Sequence, residues 1–183
     1  MAERVISLSR PAALDADTFA GLYLGQAEAI LNYCLFRVGD RAVAEDLTAD
    51  AFERAWKARR RYRPDQAGFS TWLFAITRRV VTDWQRRSRR RPMVSLDGSE
   101  RDSAPLLESQ MMESEQLTSL RTLVLNMPVR EREIIALKYG AGMNNGEIGR
   151  LLGKSETAIG SALHRAVQRL RVQWKELDRG SDV

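Results

Sequence analysis

Cysteine and histidine are almost absent from this 183-residue chain, which has one of each, Cys34 and His164. A single thiol cannot build a disulfide framework or a thiolate metal centre. Neither residue has a motif partner at catalytic or metal-ligand spacing. Gly140-Ala141-Gly142-Met143-Asn144-Asn145-Gly146 is rich in glycine, but no strand precedes it and its spacing is wrong for a phosphate loop. The expectation is a protein with no catalytic residue, no metal site and no cofactor. Long apolar runs are missing too: none approaches the ~20 residues of a membrane span. The opening Met-Ala-Glu-Arg-Val-Ile-Ser-Leu-Ser-Arg lacks the continuous apolar stretch of a secretory signal. A cytoplasmic protein with no membrane insertion is expected. Its 44% hydrophobic content is enough for a packed core.

Charge is plentiful and unevenly placed. Residues 1–53 carry a net −5, residues 54–91 a net +11, residues 92–116 a net −5 and residues 117–183 a net +4. Within the +11 block the only acidic residues are Asp65 and Asp83. A merely solvated helix face mixes signs. Segregation on this scale points to a polyanion-binding surface beside an acidic surface meant for a different partner.

Helical periodicity dominates the chain. Phe19, Leu22, Tyr23, Ile30, Leu31, Cys34, Leu35 and Val38 mark a first helix, with Asp17 as its expected N-cap. Gly39-Asp40 breaks it, and Asp40 can cap a second helix to about Ala58 with Ala44, Leu47, Ala51, Phe52, Ala55 and Trp56 on its apolar face. After the loop Arg60–Gly68, Ser70 reads as the cap of a third helix, with Phe69 and Phe74 as a hydrophobic staple. Leu73, Ile76, Val80 and Trp84 form its buried stripe. Its exposed positions turn into arginine from Arg86 to Arg91, and Pro92 ends it. Residues 93–112 read as a flexible linker. A second unit has apolar positions Leu117, Leu120, Leu123, Val124 and Met127, an interruption at Pro128, and a helix from Arg130 to Tyr139 stopped by Gly140. No segment alternates as a strand. The expected fold is all-α: two small helical domains, 15–92 and 113–177, joined by that linker.

Asn144 to Ile159 carries the strongest local signal. Asn144 and Glu147 have capping-box spacing, and Ile148, Leu151 and Leu152 share a face. Gly149 is small where elements must pass closely, and Gly153 can take the positive φ of a tight turn. Ser155 then caps a helix that buries Ile159, Leu163, Val167 and Leu170. A short helix, a glycine turn and a second helix make a helix-turn-helix, whose second helix enters the DNA major groove. An ordinary helical hairpin is the plainer alternative for this segment. Ser155, Glu156, Thr157, Gly160, Ser161, His164 and Arg165 lie on the exposed side or early turns of the second helix; the N-terminal ones are best placed for base edges, and Arg165, Arg169 and Arg171 better suit phosphates.

In this order, the two blocks resemble an extracytoplasmic-function (ECF) sigma factor, the compact class of the bacterial RNA polymerase sigma-70 family. The segment from Ala44-Glu45-Asp46-Leu47 to Ala55-Trp56 is similar to the family's region 2.2. Phe69-Ser70-Thr71-Trp72-Leu73-Phe74-Ala75-Ile76 with Asp83 and Arg86-Arg87 resembles regions 2.3 and 2.4. Met127-Pro128-Val129-Arg130-Glu131-Arg132-Glu133 resembles the start of region 4, and Ile159–Ala166 its recognition helix. The resemblance implies that Asp46, Asp50 and Glu53 face the β′ clamp of core RNA polymerase. It implies that Tyr62 and Arg63 hold a flipped base of the −10 element, and that Arg78, Arg79, Asp83, Arg86, Arg87, Arg89 and Arg90 line −10 DNA. Ser155, Glu156, Thr157, Ser161, Arg165 and Arg169 would meet the −35 element. Promoter DNA, core polymerase and an anti-sigma factor are the implied partners. The chain departs from the family pattern at Ala49, Arg79, Gly160 and Ala162, where Gln, Asn and two basic residues are usual. Gly160, costly in a helix, suggests a close approach to a neighbouring group.

The implied function is an alternative sigma factor. A sigma-like mimic that sequesters an anti-sigma factor is the main alternative, and a stand-alone repressor would leave the +11 block without purpose.

Overall fold

A computed structural model describes residues 14–90 and 115–180, and every regular element among them is helical. The first three helices are α1 (Ala16–Val38), α2 (Arg41–Ala58) and α3 (Phe69–Arg90), with a 3-10 turn at Arg59–Arg61. The second group is α4 (Glu115–Asn126), α5 (Val129–Ile135), a π-helical turn at Ala136–Gly140, α6 (Asn145–Leu152) and α7 (Glu156–Gly180). The expected linker 93–112 and the expected stop at Pro92 lie outside the described residues.

Local chemistry sets the helix ends. Asp15, rather than Asp17, caps α1 by accepting from the Thr18 amide at 2.8 Å. The helix starts two residues earlier than the apolar pattern implies, and Asp17 falls inside its first turn. Asp40 caps α2 through Val43 N–H at 2.9 Å. Between them Gly39 takes φ +78° and its amide donates to Leu35 O. Two residues thereby end one helix and start the next. Ser70 is not a cap, because α3 begins at Phe69. Asn144 and Glu147 form the full capping box of α6, Gly153 takes φ +66°, and Ser155 Oγ accepts from Ala158 N–H at 3.2 Å.

The apolar stripes of α1, α2 and α3 meet in a core of Ile30, Tyr33, Cys34, Leu47, Phe52, Leu73, Phe74 and Val80. Cys34 is fully buried, as a small core hydrophobe should be, and burial pushes its thiol up to about 11. Thr77, also fully buried, satisfies its hydroxyl by donating to Leu73 O at 3.0 Å. The second group packs Val124, Ile134, Leu137, Ile148, Ile159 and Leu163.

The two groups are docked, and their buried residues form one continuous cluster. The C-terminal half of α1 lies against α4, α5 and the π turn. Gly140 makes that approach possible, since a Cβ there would stand 3.2 Å from Asn32 O and 3.1 Å from the Phe36 ring. Widening to a π turn, with Ala141 N–H donating to Ala136 O at 2.9 Å, leaves Tyr139 59% exposed while Leu137 and Gly140 stay buried. Arg121 of α4 donates to Gly39 O at 2.7 Å, and Leu125 covers Gly39 so closely that a Cβ would overlap it. Between α1, α4 and α7 the docking leaves an apolar groove of about 670 Å³, lined among others by Phe36, Val124, Tyr139, Leu170 and Trp174.

Two glycine substitutions have opposite expected signs. A Cβ at Gly149 would stand 2.6 Å from Lys154 O in the helix-turn-helix turn, so Gly149→Ala should destabilise by about 1–3 kcal/mol. Gly21, mid-α1 with nothing within 4 Å, should gain ~0.5–1 kcal/mol as Ala. Urea denaturation of the two variants checks both.

Candidate nucleic-acid interface

Helix α3 carries the densest positive charge. Arg79, Arg86, Arg87, Arg89 and Arg90 are exposed, and among the described residues none of them has an ion-pair partner. Unpaired guanidinium groups on a helical surface keep their donors free for phosphate oxygens. The other two charged residues expected on this face are engaged. Arg78 Nε lies 2.8 Å from Glu133 Oε1 and its Nη1 reaches Leu151 O at 3.4 Å, both in the second group of helices. Asp83 faces Arg54 of α2 at 3.7 Å.

The loop before α3 presents an aromatic shelf. Tyr62 stands edge-on to Phe69 (5.9 Å, 86°) and tilted against Trp72 (5.1 Å, 48°). Phe69 continues the contact to Phe19, and Phe19 to Trp56. The Arg59 guanidinium sits 3.6 Å over the Trp56 ring. Tyr62 and Arg63 are both half-buried, and burial raises the Tyr62 hydroxyl above its ordinary range. The ring is held from beneath by packing, which fixes its position without covering all of it. Trp72 belongs to this shelf as support, in keeping with a core role.

The acidic side of α2 lies next to the arginine face. Asp46, Asp50 and Glu53 fall on one side of the helix by their i, i+4, i+7 spacing. Asp50 receives two bonds from Arg54, at 2.7 and 2.9 Å, and these raise the Arg54 pKa. Glu53 pairs with Lys57. Asp46 is exposed and has no ion pair among the described residues. Together with Asp50 it borders a cleft of about 250 Å³ whose other walls include Val43, Leu47, Trp84 and Arg87.

In the helix-turn-helix, Ser155, Glu156, Thr157, Ser161 and Arg165 are all exposed on the first turns of α7. Thr157, Ser161 and Arg165 line one face at four-residue steps. Arg169 lies further along and pairs with Glu131 of α5 at 3.2 Å. Gly160 does not mark a close approach: a Cβ there would meet only Asn145 Nδ2, at an ordinary 3.6 Å. The intimate glycine of the motif is Gly149, tight against the turn backbone.

Sequence reasoning missed the polar seam between the two groups. Arg37, 3% exposed, lies 3.1 Å from Glu133 Oε1 and donates to Tyr33 OH and Gln85 Oε1, each at 3.2 Å. The signal was present as an arginine continuing the buried stripe Ile30, Tyr33, Cys34 of α1. Among the described residues no cluster of His, Cys, Asp or Glu could hold a metal ion, and no helix is long and apolar enough to cross a membrane.

Comparison with known proteins identifies the family. The sigma-70 region 2 model matches residues 22–91 and the sigma-70 region 4 model residues 117–170. The chain is 32% identical over 167 residues to the ECF RNA polymerase sigma factor BldN of Streptomyces coelicolor, covering 89% of this chain and 62% of BldN. It spans 33% of the probable RNA polymerase sigma factor RfaY of Xanthomonas campestris. Against the ECF RNA polymerase sigma factor ShbA of Streptomyces griseus, identity is 32%, covering 77% of this chain and 79% of ShbA. The fold is similar to that of sigma factor RpoE of Bartonella quintana, solved with the anti-sigma factor NepR, at a TM-score of 0.67 and 23% identity over 89% of this chain and 99% of that one. Two region models in their proper order, and relatives that align across both, place this chain in the ECF family of RNA polymerase sigma factors.

Proposed function

We propose that the chain is an alternative sigma factor that binds core RNA polymerase and directs promoter-specific initiation by reading −35 and −10 elements and helping to open the DNA. The observation that carries this reading is the run of exposed arginines on α3, without ion-pair partners among the described residues, in the same molecule as a helix-turn-helix whose early α7 side chains are exposed. A mimic that only titrates an anti-sigma factor has no use for such a run.

The division of labour follows the two units. Residues 15–92 bind polymerase and −10 DNA, and residues 113–177 bind the −35 element. Arg79, Arg86, Arg87, Arg89 and Arg90 meet phosphates of the −10 region, with Arg78 and Asp83 alongside them. The shelf under Tyr62, with Arg63, receives an unstacked base, because every base offers a π-face to an aromatic ring. Ser155, Glu156, Thr157, Ser161 and Arg165 meet the −35 element, with Arg169 at the end of that face. Asp46, Asp50 and Glu53 bind polymerase, and Asp46 leads because no cation on its own helix competes for it. Separating about ten base-pair steps at ~1.4 kcal/mol each costs on the order of 14 kcal/mol. A single small helical chain does not supply that surplus, so recognition and base capture are its share and the polymerase supplies the rest. The chain is an initiation factor rather than a catalyst, acting in the cytoplasm, where the polymerase is. An anti-sigma factor is a further partner: the similar RpoE and CnrH chains were each solved with one, NepR and CnrY.

Reconstituted transcription with bacterial core polymerase on a genomic template library should yield discrete promoters; complete silence would refute the reading. Replacing Arg86, Arg87, Arg89 and Arg90 together by Ala should flatten the log–log salt dependence of promoter binding by up to ~3.6, measured as holoenzyme affinity against salt. An unchanged slope assigns these arginines to solvent. Asp46→Lys should weaken core polymerase binding by about tenfold or more, roughly 1.4 kcal/mol, with an unaltered helical circular dichroism spectrum. Titration of labelled variant against core polymerase measures it.

A further inference from the structure

One carboxylate oxygen ties the two halves together. Glu133 Oε1 of α5 accepts from Arg78 Nε at 2.8 Å and lies 3.1 Å from Arg37 Nη1. Two guanidinium groups of the N-terminal half thus share one acceptor from the C-terminal half. Arg132 is held nearby by donating to Leu125 O at 2.7 Å. Its burial, with repulsion from Arg37 and Arg89, lowers its pKa. Arg37, Arg78 and Arg132 therefore crowd a seam in which Glu133 supplies the carboxylate. Positive charge in excess at a partly buried place favours the arrival of a second anion.

The two arginines on Glu133 are not equivalent. Arg37 is 3% exposed and fixed by Tyr33 and Gln85. Arg78 has a side chain 30% exposed, and its other contact is a long 3.4 Å bond to Leu151 O. It also stands on α3 beside Arg79 and about two to three turns from Arg86, Arg87, Arg89 and Arg90, the exposed face already described. Arg37 is locked, whereas Arg78 can change partners with a rotation of its own side chain.

We infer that Glu133 is an internal competitor for the nucleic-acid backbone: it holds Arg78 while the halves are docked, and a DNA phosphate that takes Arg78 loosens the docking. The inference rests on the placement of Arg78 in the −10 face. A docked molecule withholds one of its DNA donors, and a DNA-bound molecule loses one of the ties between α3 and the α5–α6 segment. By linkage, whatever separates the halves strengthens DNA binding by the same factor as DNA promotes separation. The second half is thus released where the first has found its substrate.

The test uses the full chain carrying Ala42→Cys and Gln168→Cys, both at exposed positions of α2 and α7, with spin labels on the introduced thiols. The buried Cys34 stays unlabelled. Pulsed electron paramagnetic resonance reads the distance with and without a short duplex of arbitrary sequence, and fluorescence anisotropy reads the affinity. Saturating duplex should shift the distribution to longer distances. Glu133→Gln should give the longer distances without DNA and bind the duplex about tenfold more tightly at low salt. Adding Arg78→Gln should abolish that gain. If Arg78→Gln leaves the affinity of the Glu133→Gln protein unchanged, the placement of Arg78 on DNA fails and the inference with it. If it weakens binding while saturating duplex leaves the parent distance unmoved, the −10 placement stands and the competition alone is overturned. Should Glu133→Gln fail to fold by circular dichroism, the response of the parent chain to duplex decides.

Discussion

The C-terminal half of α1 is buried on two sides, and this double burial governs the molecule. One side completes the core with α2 and α3; the other receives α4, α5 and the π turn. A helix in that position can present polar groups only if each finds a partner. Arg37 meets the requirement through its two terminal nitrogens, with Tyr33, Gln85 and Glu133 spanning α1, α3 and α5, while its Nε has no partner among the described residues. A guanidinium removed from water without such partners would be strongly destabilising. The same contact gives direction to the docking, since apolar faces alone permit sliding. Gly140 lets the backbone of the π turn come close to Asn32 of α1, and Gly39 leaves room for the Leu125 side chain to close over it.

The arginines sort into two populations with different physical roles. Arg37, Arg54, Arg78, Arg121 and Arg169 are spent on carboxylates or carbonyls inside the protein. Arg79, Arg86, Arg87, Arg89 and Arg90 have no such commitment among the described residues. Net charge by segment identifies the basic block but cannot distinguish these populations. Arg78 and Arg169 stand between the two, each tied to a glutamate of α5 while lying on a face proposed to meet DNA.

Features whose cause lies within a few residues were legible in the sequence. The Gly39-Asp40 corner, the Asn144–Glu147 capping box, the Gly153 turn and the Ser155 cap each depend on neighbours three or four positions away. The buried stripe of α2 followed from helical period, and that of α3 in part: Leu73 and Val80 are buried, but Ile76 and Trp84 are half-buried and Thr77 and Val81 lie in the core instead; the acidic face of α2 and the basic face of α3 followed from charge. Caps on weakly patterned entries were displaced: Asp15 replaced Asp17, and Phe69 took the start ahead of Ser70, because competing donors and acceptors lie within one turn. The π turn was hidden because its cause is the packing of Gly140 on Asn32 and Phe36, about a hundred residues earlier. The Arg37–Glu133 seam was hidden for the same reason, and with it the engagement of Arg78. Gly160 read as a contact point when its neighbourhood is in fact ordinary, since a missing side chain alone does not reveal what stands opposite.

The apolar groove between α1, α4 and α7 has walls from both halves of the chain, so it exists only while they are joined. Three of the four tryptophans, Trp56, Trp72 and Trp84, sit in the first half, away from this hollow. Trp174 lines it. Were the halves to part, that half-buried indole would lose the α1 side of its apolar surroundings, and its emission colour would shift. The chain therefore carries its own optical gauge of whether it is shut or open.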